Sequence, residues 1–139
     1  EAEPLYRQVL EARRTQEGEN SRETLILKVN LGRLFYDQKK FDQALPFYKS
    51  ALDGFQATMP DHWMTAATKA YIAESLAGLK RFDEAETLML QAYAEVTKSL
   101  APDHNRARAV AKSAAKLYTD WGKPDQAKPW EEKAAAAPK

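Results

Sequence analysis

Two Asp-His pairs offer most of the chemistry in this sequence: Asp61-His62 within "PDHW" and Asp103-His104 within "PDHN", which use both histidines of the chain. An imidazole beside a carboxylate could be half of a metal site or half of a proton relay. The pairs stand 42 residues apart. If each marks one unit of a stacked helical array, the copies are separated by about one helix diameter, on the order of 10 Å. Nitrogens sharing a zinc ion lie within about 4 Å of each other, each being about 2 Å from the metal. The two pairs cannot easily meet at one ion, and neither has a second histidine nearby. The chain has no cysteine, which removes thiolate ligands and thiol nucleophiles together.

A proton relay also needs a nucleophile. Ser21, Ser50, Ser75, Ser99 and Ser113 lie in no elbow or glycine-rich setting. The five glycines are scattered and form no phosphate loop. Paired acids such as Glu84/Glu86 and Glu131/Glu132 read as solvated helix surface. The expectation is a non-enzyme with no catalytic residue, bound metal or cofactor. In that reading each proline stops one helix and the Asp-His pair caps or buttresses the next.

The elements behind these pairs repeat. "EAEPLY" recurs as "DQALPFY", "DEAETLM" and "DQAKPW", with Ala2, Ala44, Ala85 and Ala127 spaced 42, 41 and 42 apart. Each later copy follows a lysine-rich turn: "DQKKF", "GLKRF" or "WGKP". In 23–37 the apolar residues Leu25, Leu27, Leu31, Leu34 and Phe35 keep helical spacing. From 42 to 57 a broad apolar face carries Ala44, Leu45, Phe47, Tyr48, Ala51, Leu52 and Phe55. With 24 alanines and few β-branched residues, the composition favours helix throughout. The pattern predicts helices at 1–16, 22–38, 42–57, 63–79, 83–99, 105–121 and 125–135. Asp42, Asp83 and Asp125 are predicted N-caps. Pro46 and Pro129 are expected in the first turn, which needs no intrahelical N–H partner.

These residues resemble the tetratricopeptide repeat. Its pattern is met by Leu31, Gly32, Phe35, Ala44, Tyr48 and Ala51, then by Ile72, Ala73, Leu76, Ala85, Met89 and Ala92. The third copy has Ala114, Ala115, Tyr118, Ala127 and Ala134, with Glu131 in place of the second-helix aromatic. A period near 42 rather than 34 is similar to the kinesin light chain variety, of whose linker "MPDHW" and "APDHN" look like eroded copies. The closing segment 117–133 resembles the repeat tails of bacterial serine/threonine kinases and other bacterial signalling proteins. The resemblance implies an all-α, right-handed superhelical solenoid of antiparallel helical hairpins. It would be a single domain over 1–139, with an orphan second helix at 1–16 and hairpins at 22–57, 63–99 and 105–135. The opening residues read as the middle of a structured region, so a fragment of a longer protein is expected.

What the resemblance implies for function is a protein-interaction scaffold whose inner face holds a peptide or partner helix. The positions carried across are Asn30, Arg33, Tyr36 and Asp37, then Tyr71 and Glu74, then Lys112 and Lys116. Arg33, Lys112 and Lys116 would suit an acidic peptide or a C-terminal carboxylate. The alternative is a structural spacer, or self-association through 1–16, whose Leu5, Tyr6, Val9 and Leu10 lack a covering helix. The net charge of +1 gives no general pull toward nucleic acid or membrane. No apolar run approaches the roughly 20 residues of a membrane span. A chain without cysteine suits cytosol and periplasm equally.

Overall fold

The computed structural model describes residues 4, 7–9, 11, 21–101 and 104–135. Six helices follow residue 21: α1 (Arg22–Asp37), α2 (Phe41–Thr58), α3 (Trp63–Gly78), α4 (Phe82–Ser99), α5 (Asn105–Asp120) and α6 (Pro124–Ala135). Their bounds fall within a residue or so of those predicted, and the described residues contain no strand. Residues 4, 7–9 and 11 are also helical. Of the predicted orphan helix, Leu5, Tyr6 and Leu10 lie outside the described residues, as does Asp103. The chain divides into two compact units, 1–60 and 61–139.

In the first unit α1 packs on α2 as a hairpin. Leu25, Leu31, Phe35, Ala44, Tyr48, Ala51 and Phe55 are essentially inaccessible to water. Phe35 stacks on Phe47 with ring centroids 5.6 Å apart, and the Arg7 guanidinium lies over both rings. Gly32 lets the helices approach closely. A Cβ there would sit 2.6 Å from the Tyr48 ring, well inside van der Waals contact. Lys28, 5% exposed, buries its stem and donates to Ser50 Oγ at 2.8 Å.

The second unit holds two hairpins, α3–α4 and α5–α6, with α5 packed against both α4 and α3. Ile72, Ala73, Ala85, Met89, Ala92 and Val96 form the core of the first; Ala111, Ala114, Leu117, Tyr118 and Ala127 form that of the second. Lys69 lies 6% exposed and binds both Glu95 carboxylate oxygens, at 2.6 and 2.9 Å, so its buried charge is paired. At the last hairpin the aromatic position is Glu131, which is exposed, and Trp130 instead packs edge-on against Tyr93 of α4 at 4.8 Å.

The hairpin turns explain a correction to the predicted caps. After α1, Lys40 N–H donates to Phe35 C=O and Lys39 N–H to Tyr36 C=O, both at 2.9 Å. This is a Schellman motif, and Lys39 supplies its left-handed residue with φ 62°. The same pair of bonds closes α3 through Lys80 and Arg81, and α5 through Gly122 and Lys123. The last residue of each motif already precedes the next helix, so Lys40 and Arg81 are the N-caps and make no side-chain capping bond. Asp42, Asp83 and Asp125 are therefore second helical residues, not caps, and act on the free N–H groups by charge. Pro46 and Pro129 likewise move to the sixth helical position, past the turn whose N–H groups need no partner.

Candidate functional site

The two first helices of the second unit are each rich in alanine, five of sixteen residues, and that choice makes a cleft. On α3 the residues at one stripe are Trp63, Ala67, Ala70 and Tyr71; on α5 they are Arg106, Ala109, Val110 and Ser113. Each stripe follows the 3-and-4 spacing that keeps side chains on one helix face. Between the large end residues, the alanines offer only a Cβ each. The result is an open cleft, floored by Val96 of α4 and lined mainly by apolar atoms.

Polar contacts fix its two ends. The Arg106 guanidinium lies 3.8 Å from the centroid of the Trp63 ring, a close cation–π contact. Both residues sit in the first turn of their helices. Further along, Ser113 Oγ donates to Glu74 Oε2 at 3.0 Å and ties α5 to α3. Contacts that pair start with start and later turn with later turn show that α3 and α5 run in the same direction.

The histidines stand just outside the cleft and cap its two helices. His62 Nδ1 accepts the Met64 N–H at 3.1 Å, and His104 Nδ1 accepts the Arg106 N–H at 3.1 Å. Each is the N-cap of its helix, α3 or α5. An accepting Nδ1 places the ring proton on Nε2 in the neutral imidazole. Asp61 does not relay to His62; its backbone carbonyl accepts from Ser99 Oγ at 3.1 Å. Among the described residues, no cluster of three or more His, Asp or Glu side chains is placed to hold a metal ion.

Tyr118 has a perturbed titration. Burial pushes its phenol up from 10 to about 12, helped by the hydroxyl's 2.7 Å hydrogen bond to Glu86 Oε2 and by that carboxylate's charge. The group cross-links α5 to α4 beside the core and lies outside the cleft lining.

Of the residues expected on the inner face, Tyr71 lines the cleft and Glu74 is bonded across it by Ser113. Lys112 is exposed and lies about 100° round α5 from Ser113. Lys116 donates to Asp120 at 2.6 Å, one turn along its own helix. In the other unit, Asn30, Arg33 and Asp37 are exposed on α1, while half-buried Tyr36 packs edge-on against Phe41 at 5.3 Å. Arg106 is a cleft residue that the sequence reading does not single out. A signal was present: Arg106 follows Trp63 by 43 residues, so the two occupy nearly the same phase of adjacent repeats.

The tetratricopeptide repeat sequence pattern matches residues 1–57 and 64–139. Among solved structures, that of BtubC (BKLC) from P. vanneervenii has a TM-score of 0.80 at 19% identity, covering 99% of this chain and 59% of that one. A Podosopora anserina protein, described as a kinesin light chain with nearly identical TPR-like repeats, has a TM-score of 0.75 at 19% identity. That match covers 96% of this chain and 64% of the other. The chain thus spans less than two thirds of both neighbours, and at such identity the likeness concerns the fold alone. The comparison with curated proteins found no match. A sequence match over nearly the whole length, on hairpins that repeat their core and their turns in one phase, makes this chain a member of the tetratricopeptide repeat family.

Proposed function

We propose that the chain is a non-catalytic protein-interaction module and that the α3–α5 cleft receives an extended segment of a partner protein. Tetratricopeptide repeats generally serve as protein-interaction modules. The observation that carries the reading is the cleft itself. It is an open trough with alanine along its walls, an aromatic ring at each end of the α3 stripe, and polar groups at both ends. Apolar surface with a few fixed polar groups is what a binding groove requires. On α1 the row of Asn30, Arg33 and Asp37 is proposed as a contact surface of the first unit, taken by itself.

The test is a random peptide display library panned over the purified chain and over the double variant Ala67→Leu/Ala109→Leu. Both substitutions use strong helix formers and fill the trough rather than altering its charge. Peptides enriched by the native chain should lose binding to the filled variant. Peptides that bind both forms equally would place recognition elsewhere and overturn the reading.

A further inference from the structure

We infer that Arg106, held against Trp63, is the anion-reading residue of the cleft, and that the segment received there pairs an aliphatic side chain with a neighbouring acidic side chain. This inference rests on the groove reading above and assigns its chemistry. Three observations converge on it.

The first is the state of the guanidinium. Contact with the Trp63 ring at 3.8 Å holds one face of the group, while Arg106 as a residue remains exposed. A guanidinium stacked through its face keeps its N–H edges available for a bidentate carboxylate, and less side-chain entropy is lost on binding because the stack has already ordered it.

The second is the field at that end of the cleft. Helices α1, α2, α4 and α6 each carry an acid in the first turn: Glu23, Asp42, Asp83 with Glu84, and Asp125. Helices α3 and α5 carry none. They run in the same direction, so two positive helix ends lie side by side without an acid inside either first turn. In the sequence Asp61 precedes α3 and Asp103 precedes α5, each before the N-cap histidine and so outside the helix. Glu74 sits at the far end and is engaged by Ser113. The Trp63–Arg106 end of the cleft thus offers a guanidinium beside two helix N-termini, which orients a segment with its carboxylate toward Arg106.

The third is the trough beside the arginine. Ala67, Ala70, Ala109 and Val110 leave room for an apolar side chain next to the carboxylate position. A charge with no apolar neighbour would leave this surface wet, and an apolar residue alone would leave the arginine unanswered.

The experiment uses the whole chain and four fluorescein-labelled, carboxy-terminally amidated hexapeptides: leucine beside aspartate, leucine beside asparagine, glycine beside aspartate and glycine beside asparagine. Fluorescence anisotropy measures Kd, and amide shifts of Ala67, Ala70 and Ala109 by NMR report where each peptide sits. The leucine–aspartate peptide is expected to bind best, about tenfold tighter than its asparagine counterpart. Arg106→Gln should erase that tenfold difference, so that the leucine–aspartate and leucine–asparagine peptides bind alike. Circular dichroism of Arg106→Gln checks that the exposed substitution leaves the fold intact. Leucine peptides that shift the cleft amides with no preference for aspartate would overturn the inference and leave the groove reading standing. No shift of those amides by any peptide in the set or from the panned library would overturn both.

Discussion

Gly32 is the residue where substitution should depart most from local propensity. Alanine is about 1 kcal/mol better than glycine inside a helix, so α1 alone would gain from Gly32→Ala. The added methyl, however, would meet the Tyr48 ring at 2.6 to 2.9 Å, and Tyr48 is only 1% exposed with nowhere to retreat. Overpacking of this kind costs about 1–3 kcal/mol. Gly32→Ala is therefore expected to lower the urea midpoint at an unchanged slope; a raised midpoint would show that α1 and α2 separate freely. Tyr118 is the residue where pH should act. Its phenol is raised in the folded state to about 12 from an ordinary value of 10, so the folded state favours the neutral form. That contribution is complete below pH 10 and is lost as pH rises toward about 12. Tyr118→Phe has no such group. At neutral pH it should cost about 1 kcal/mol by leaving Glu86 without its donor, and its melting temperature should fall less steeply than the native one across that alkaline window.

At the scale of the helix, the turns and caps decide the boundaries. Two of the three Schellman motifs place a lysine in the left-handed region, Lys39 at φ 62° and Lys80 at φ 63°, where the third uses Gly122. A side chain there is disfavoured by about 1–2 kcal/mol relative to glycine. Lys80→Gly is expected to raise stability by about 1 kcal/mol, read from chemical denaturation. At the opposite helix end, His62→Ala removes the acceptor for Met64 N–H and should cost about 1 kcal/mol, while His62→Asn retains most of it. Helix existence was legible because the 42-residue phase of alanines and aromatics gives each segment several independent readings. Cap identity was not, since an aspartate near a helix start signals a cap equally well whether it stands before the helix or one residue inside it. The tight turn puts Asp42 and Asp83 inside. The candidate cleft was legible where it follows repeat phase, in its lining by Tyr71 and in the bond of Glu74 to Ser113. It was hidden at Arg106 because a cation–π contact across two helices is a matter of their relative rotation, which spacing along one helix does not contain.

In the second unit α3 and α6 mark the two extremes of burial. Nine residues of α3 are buried, against Ala127 alone in α6. The exposed residues of α6 include Asp125, Lys128, Glu131, Glu132 and Lys133. In repeat proteins stability is close to a sum of unit and nearest-neighbour terms, so an element with one principal neighbour opens more readily than one with two. Helix α3 packs on α4 and α5, whereas α6 rests on α5 and on an edge-on contact of Trp130 with Tyr93. Native-state hydrogen exchange should therefore find the α6 amides opening at least about tenfold more often than those of α3. Trp130→Ala should widen that gap and leave α3 protection unchanged. Equal protection in α6 and α3, moving together in the variant, would mean that the unit opens as one body and that the exposed Glu131 position does not weaken its edge.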